Sequence, residues 1–586
     1  MKLNRIKRTA VIAVMLTASQ LPDAGAQGFL HAEGQKIVNE KGENVLLRGI
    51  GLGGWMLQEG YMLKINKESQ QYRIRERITE LTSAAQAREF YDRWLANHTR
   101  KADIDSLKAW GFNSVRLPMH YDLYTLPVEK EPAAGKNTWL KKGFAMTDSL
   151  LAWCKANQLY LILDLHAAPG GQGNDLNIAD RDPAKPSLWD SEANQQKTIA
   201  LWKKLAERYK DEQWIGAYDL INEPNWGFEN LKEDKNGLKE QRNAPLQKLL
   251  TDITKAIRTV DKKHMIIIEG NGWGNNYNGI TPDWDKNMAL SFHKYWNYND
   301  QESVANILKM RKKYNIPAWL GETGENSNVW FTDAIRLLEK NNIGWAWWPL
   351  KKLGFNNPSQ IRSNPLYDAV ADYMNGKGEK PARADAYKGL MELADATKIE
   401  NTIIHRDVID AMIRQPFTAA TLPFKKHTLT KSLTIAAVDY DLGISGAAYF
   451  DTDSADYHVA TGVTTAGNRG RVYRNDGVDI IQAEKNDYYV NSITTGEWML
   501  YTIDVTESGV YTVELATSAT EGDGMVSLEV NGVKAGKPMA VPATGGAAVF
   551  KETVFKNIIL GRGRQRIRVY ADKGGFNLRS LKITVD

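Results

Sequence analysis

Ile215-Gly216-Ala217-Tyr218-Asp219-Leu220-Ile221-Asn222-Glu223-Pro224 is a largely apolar run that stops at a glutamate, and Pro317-Ala318-Trp319-Leu320-Gly321-Glu322 stops the same way. A buried strand that ends in a carboxylate aims an ionisable group out of a rigid scaffold. Working outward, further short apolar runs appear at Val45–Leu47, Ser114–Leu117, Leu159–Leu163, Met265–Ile268, Ala289–Phe292 and Ile343–Trp348. Helical spacing fills the gaps between them. Ile104, Leu107 and Trp110 lead to a stop at Gly111, Ile199, Trp202, Leu205 and Tyr209 share one face, and so do Leu246, Leu249, Ile253 and Ile257. Strict strand–helix alternation predicts an α/β chain with a closed (β/α)8 TIM barrel. No glycine-rich phosphate loop opens a helix, as an open doubly wound sheet would favour.

In such a barrel the working face lies at the C-terminal strand ends. The residues just past the apolar runs are Arg48, Arg116, Asp164 with His166, Asn222 with Glu223, Glu269, His293 with Tyr295, Glu322 and Trp348. A purely structural scaffold has little reason to end its strands in polar and aromatic side chains. Seventeen of the 18 tryptophans precede residue 350, and Trp55, Trp189, Trp226, Trp273 and Trp296 fall in expected loops at the open face. Aromatic platforms of that kind suit sugar faces.

The 586 residues, 42% hydrophobic and 25% charged, supply ample core material for more than one domain. Residues 1–26 read as a bacterial secretory signal. Lys2, Arg5, Lys7 and Arg8 precede an apolar stretch from Ala10 to Ala18 and a small-residue site at Ala24-Gly25-Ala26. The apolar stretch is too short to span a bilayer, and no other membrane span is expected. Cleavage removes four basic residues and Asp23, lowering the formal charge from +5 to +2. A nearly neutral chain argues against a phosphate-tracking nucleic-acid binder. Cys154 is the one cysteine, so no intramolecular disulfide forms. The expected product is an exported, periplasmic or extracellular monomer.

The barrel is assigned to residues 27–375, and Asn375 to Pro381 reads as a turn or linker. Residues 376–435 form a linker with helical character. From residue 436 to 586 the period becomes two: Tyr511, Val513 and Leu515 alternate with polar residues, and so do Val526, Leu528 and Val530. Asn531-Gly532 marks a tight hairpin. This predicts a separate all-β sandwich, jelly-roll-like in form.

Leu47-Arg48-Gly49, Gly111 to Pro118, Asp164-Leu165-His166, Asn222-Glu223-Pro224, His293-Lys294-Tyr295, Gly321-Glu322 and Trp345 to Trp348 fall in an order that resembles glycoside hydrolase family 5. The resemblance spans about residues 29–371. Asp164 to Gln172 is similar to the branch whose β-glucanases act on 1,3-linked glucan. The resemblance implies a retaining double displacement, with Glu223 as acid/base and Glu322 as nucleophile. Arg116 would be the positive neighbour of Glu322, and Tyr295 a hydrogen-bond donor to it. His166 and His293 would shape the sugar subsite, Asn222 would bind the 2-hydroxyl, and Trp348 would stack on a pyranose ring. Neither a metal nor an organic cofactor is expected in the catalysis. Glu269 is expected to support the acid from behind, Glu325 to be solvated, His120 to be either structural or functional, and Trp347 to be core.

The implied substrate is a β-glucan-type polysaccharide, with endo-cleavage favoured. Exo-β-1,3-glucanase, transglycosylase and β-mannanase activities remain open. A metal-dependent hydrolase lacks a histidine pair at the first strand. A glycan-binding protein without activity sits poorly with two intact glutamates.

Asp439-Tyr440-Asp441, Asn475 to Ile480, Gly496-Glu497-Trp498 and Gly574 to Asn577 resemble carbohydrate-binding modules of family 6. Asn577 matches the sugar-binding asparagine of such modules, but Ser492 and Ala547 stand where their aromatics are expected. Trp498 is expected in the core. A structural calcium ion held by acidic residues is typical of those modules and is expected here on that ground alone.

Overall fold

A computed structural model describes residues 28–453, 455 and 467–586. The expected signal segment lies outside the described residues. Eight parallel strands close into a barrel: β1 (Arg48–Gly51), β2 (Ser114–His120), β3 (Tyr160–Ala167), β4 (Ile215–Asp219), β5 (Met265–Glu269), β6 (Met288–Lys294), β7 (Ala318–Gly324) and β8 (Gly344–Trp348). Neighbours in sequence are neighbours in space, and β8 pairs with β1 to complete the ring. Every residue of β2 through β8 is buried, as expected of strands covered on both faces.

The first strand begins three residues later than the apolar run Val45–Leu47 suggests. Arg48 therefore opens β1 instead of closing it, and lies opposite Trp345 near the start of β8. Its guanidinium reaches outward and takes both carboxylate oxygens of Glu339, at 2.8 and 2.7 Å. Arg48 thus has no place at the C-terminal face.

Two helices, α1 (Gln71–Leu81) and α2 (Ala84–His98), occupy the connection after β1. Then come α3 (Lys101–Trp110), α4 (Lys141–Asn157), α5 (Glu192–Tyr209), α6 (Ala244–Arg258), α7 (Ala305–Tyr314) and α8 (Asn328–Lys340). The helix stop at Gly111 has its local cause there. With φ at 104°, Gly111 donates its N–H to the carbonyls of Leu107 and Lys108 and closes α3. The amphipathic spacing of α6 buries Leu246, Leu249, Leu250, Ile253 and Ile257 against the barrel.

Residues 376–435 are mostly not a free linker. After α9 (Pro365–Met374), helices α10 (Arg383–Ala396) and α11 (Arg406–Ile413) add Ala386, Leu390, Leu393, Val408 and Met412 to the same apolar core as the barrel. The side chain of Asn375 is tied in as well, accepting from the Asn66 N–H at 2.8 Å.

Beyond lies a two-sheet sandwich with its own core, including Ile435, Val513, Leu515, Val526, Leu528 and Ile583. Its longest antiparallel partners are Gly509–Ser518, Lys551–Leu560 and Phe576–Val585 in one sheet and Trp498–Val505 with Gly563–Lys573 in the other. Asn531 and Gly532, at φ 53° and 83°, form the tight turn between Val530 and Val533. Trp498 is only half-buried, lying beneath the Arg568 guanidinium at 4.2 Å, so the expectation of a core tryptophan fails there. It stands at the start of its strand, opposite Tyr570.

Trp347 meets Phe331, Trp345 and Trp330 at ring separations of 5.2, 5.4 and 6.4 Å, joining β8 to α8. Trp347→Ala should cost about 3–5 kcal/mol of stability, read from the shift of a denaturant unfolding midpoint.

Candidate active site

Arg116 projects from β2 into the barrel, only 1% exposed, and organises everything above it. Its Nη1 donates to Glu322 Oε2 at 2.9 Å. Its Nη2 donates to Asp219 at 2.9 Å, Asn222 Oδ1 at 2.8 Å and Glu269 at 3.1 Å, and lies 3.3 Å from Asp164. One cation thus faces carboxylates from β3, β4, β5 and β7. The imbalance shows on Asp219: burial, with Glu269 and Asp164 nearby, pushes its carboxyl well above the usual range despite Arg116.

The remaining geometry builds on that floor. Tyr295 donates its hydroxyl to Glu322 Oε1 at 2.9 Å. His293 Nδ1 lies 2.6 Å from Glu223 Oε1, and its Nε2 lies 3.2 Å from Glu269. Glu223 sits at φ 43°, a left-handed backbone that costs a non-glycine residue roughly 1–3 kcal/mol. Hydrogen bonds on both sides hold it there: its N–H donates to Glu269 Oε2 at 2.7 Å, and its carbonyl accepts from Asn225 Nδ2 at 2.9 Å. Carboxylate oxygens of Glu223 and Glu322 come within 4.8 Å of each other, with His293 equally close.

Protonation follows from the same contacts. Burial raises the Glu223 carboxyl, with His293 opposing and Glu322 and Glu269 adding to the rise. Burial alone would lower His293, but Glu269, Glu223 and Glu322 carry it well above the ordinary imidazole value. Burial likewise opposes a charge on His166, yet Asp164 at 2.8 Å, together with Glu59 and Glu322, lifts it to about 10.

These groups open into a cleft of about 640 Å3 whose walls include Glu59, Tyr61, Trp273, Trp296, Glu325 and Trp348 beside Glu223, His293, Tyr295 and Glu322. Trp348 stacks on His166 with rings 5.0 Å apart and 6° from parallel, and donates from Nε1 to the Tyr61 hydroxyl at 2.9 Å. Gly51 and Gly53 make room for the indole. A Cβ at either would fall 2.5 or 2.7 Å from its ring. Arg116, His166 and Asn222 sit beneath this lining, at most 1% exposed.

The eight residues given catalytic or sugar-binding roles therefore meet at one end of the barrel, and of the strand-end residues only Arg48 lies elsewhere. Glu269 stands behind Glu223, as expected. Glu325 is not solvated: its carboxylate pairs with Lys352, and its side chain is 16% exposed. His120 points elsewhere, held between Asp122 and Asp180 at 2.8 and 2.9 Å, and those carboxylates outweigh burial to raise it to about 9. Of the five loop tryptophans, Trp273 and Trp296 reach the cleft. Trp55 is buried with its Nε1 on the Leu95 carbonyl, Trp189 donates to Gln172 O, and Trp226 lies under Arg181.

Sequence reasoning missed Asp219, Glu59 and Tyr61. Asp219 had a signal, a lone acid inside an apolar strand. Glu59 and Tyr61 had none, because they sit at the start of a single 3-10 turn, Gly60–Leu63, after β1.

Residues 75–354 match the family model described as cellulase, glycosyl hydrolase family 5. The chain carries a glycoside hydrolase family 5 domain. Residues 453–585 match the model for carbohydrate binding module family 6, so this glycoside hydrolase pairs its barrel with a module of that family. It is similar to a β-xylosidase of Phanerodontia chrysosporium, 25% identical over 386 residues that cover 60% of this chain and 76% of that protein. It is also similar to endoglucanase C of Acetivibrio thermocellus, 26% identical over 375 residues, 52% of this chain and 92% of that one. Among solved structures, endoglucanase Cel5A of Thermotoga maritima aligns with 20% identity and a TM-score of 0.35, over 50% of this chain and 90% of that one.

As for calcium, the one group of three or more His, Cys, Asp or Glu side chains close enough to share an ion among the described residues is Glu223, His293 and Glu322. In the sandwich, Asp451 accepts from the Asp453 N–H, Asp479 from that of Arg469, and Glu497 from that of Thr494.

Burial raises Glu59 to about 7, against the pull of His166 at 3.7 Å. A carboxyl raised in the folded state costs stability as pH climbs from its unfolded value of 4.5 through 7. Glu59→Gln, which cannot ionise, should therefore gain on the unaltered protein between pH 4.5 and 7.5. Thermal melts at both pH values measure that shift.

Proposed function

We propose that this glycoside hydrolase is an exported retaining β-glucanase that cuts its polysaccharide internally by double displacement. The observation that carries the reading is the approach of the Glu223 and Glu322 oxygens to within 4.8 Å. Retaining enzymes hold their carboxyl groups about 5–5.5 Å apart, whereas inverting ones leave about 6.5–9.5 Å for a water.

Glu322 attacks the anomeric carbon while the glycosidic C–O bond breaks. Donors on both its oxygens, Arg116 and Tyr295, fix its direction of attack. Glu223, with its raised carboxyl, gives its proton to the departing oxygen. It then takes a proton from the water that releases the sugar from Glu322. No ion is needed in either step. With His166 carrying both ring protons, its Nε2 has no lone pair for Asn222 Nδ2 at 3.3 Å, which leaves that amide for the 2-hydroxyl. Trp348, stacked on His166, is the platform for a pyranose ring.

Internal cleavage finds support in a second polar groove of about 630 Å3, lined by Asn66, Gln70, Tyr72 and Asn236. Asp175, Asn177 and Trp273 line both it and the catalytic cleft, so a chain passing Glu223 has somewhere to continue. Relatives named endoglucanase and glucan 1,3-beta-glucosidase are consistent with a β-glucan substrate. Export rests on the sequence of residues 1–26. No helix among the described residues is long and apolar enough to cross a membrane.

Glu322→Ala should abolish hydrolysis yet leave glycan binding intact, and Glu223→Gln should lose about 10²–10⁴ in kcat. Unchanged hydrolysis in Glu322→Ala would refute the mechanism. The anomer released first, read by NMR, checks retention. Product sizes from β-1,4-, mixed-linkage and β-1,3-glucans and from mannan decide linkage and endo-action.

A further inference from the structure

The sandwich does not present Asn577 as a free sugar-binding amide. Its Oδ1 accepts from the Ser492 N–H at 3.0 Å, and its Nδ2 donates to Ala547 O at 2.8 Å and Ser518 Oγ at 3.1 Å. The side chain is spent on its own domain, between the two positions that lack aromatics.

The sandwich is instead committed to the loop that follows β7, the strand carrying Glu322. Asn475, 4% exposed, bridges to it on several atoms. Its Nδ2 donates to Asn326 O at 2.9 Å and to Asn328 Oδ1 at 3.2 Å, and its carbonyl accepts from the Asn328 N–H at 2.7 Å. Its own N–H goes to Asp407 of α11 at 2.8 Å, and Asp407 also accepts from Asn328 Nδ2 at 2.8 Å. Ser327, the N-cap of α8, donates to the Ala455 carbonyl. Sandwich, extension and barrel meet at this one buried knot.

The tip of the knot is rigid. Arg474 packs its guanidinium 4.0 Å above Tyr440 and 4.6 Å above Phe424, and donates to Tyr440 O at 2.7 Å. Asp476 lies 3.3 Å from that guanidinium and accepts from the Tyr440 hydroxyl. Asn475 is therefore presented from a fixed base, and what it grips is a wall of the cleft. Glu325, next to Asn326, lines the cleft, pairs with Lys352, and accepts from Trp296 Nε1 on its carbonyl at 3.2 Å. Trp296 lines the same wall. Three residues separate Glu322 from Asn326, so little slack remains between the gripped carbonyl and the reacting carboxylate.

We propose that the sandwich braces the cleft wall beside Glu322, with Asn475 as a positioning residue acting through Asn326 and Glu325, and that its Asn577 face does not capture glycan. The proposal rests on the reading of Glu322 as nucleophile.

Asn475→Ala in the full chain removes the two side-chain bonds and keeps both backbone ones, so the domains stay docked. It should lower kcat/KM on soluble β-glucan oligosaccharides about tenfold through a rise in KM. The fraction of sites labelled covalently by a 2-deoxy-2-fluoro aryl glycoside should change less than about twofold. Asn475→Ser is the second variant, for use if the alanine form does not accumulate. An unchanged kcat/KM per labelled site, or a loss that follows only the folded fraction, would overturn the brace. So would binding of the Glu322→Ala chain to insoluble glucan that persists when soluble oligosaccharide saturates the cleft. Failure of the unaltered protein to be labelled or to turn over would sink the catalytic reading instead.

Discussion

Everything at the working end of the barrel hangs on a guanidinium buried under a crowd of carboxylates. Arg116 meets Asp164, Asp219, Glu269 and Glu322, which come from four other strands, and holds Asn222 besides. Removing one partner from a buried charge network leaves the others uncompensated, at a cost of several kcal/mol. That cost enforces register as well as charge. A slip of β4 or β7 by one residue would turn Asp219 or Glu322 away from the barrel axis and strand the cation. The raised carboxyl of Asp219 is part of the same accounting, since four ionised acids around one arginine would repel each other.

Around this centre the molecule uses strain where it needs direction. The left-handed backbone of Glu223 is tolerated because Glu269 and Asn225 satisfy its N–H and carbonyl. Glu269 is thereby the hinge of the whole arrangement, touching Arg116, His293 and the Glu223 backbone together. A carboxylate that never reaches the cleft sets both the charge and the aim of one that does.

The barrel was legible because its strands are covered on both faces and so read as continuous apolar runs, each ending where chemistry begins. Glu223, Glu322, His293, Tyr295 and Trp348 carried that signal plainly. Arg48 misled because an apolar lead-in, Val45–Leu47, looks the same as a strand and moves its apparent end. Glu325 misled because a loop position says nothing about a lysine arriving from beyond β8. Glu59 and Tyr61 were invisible: the single 3-10 turn that holds them, Gly60–Leu63, is too short to show a period. Asn475 resembled a motif of a sugar-binding module, and nothing in its neighbours along the chain reveals that its partners lie some 150 positions away.

The helices α10 and α11 fall after what reads as the natural end of the barrel, yet Leu390, Leu393, Val408 and Met412 belong to the same apolar core. A polypeptide stopped at residue 375 would keep all eight strands and both glutamates while baring oily flank to solvent and losing Asp407. What looks in the sequence like a tether is, in the fold, masonry of the first domain.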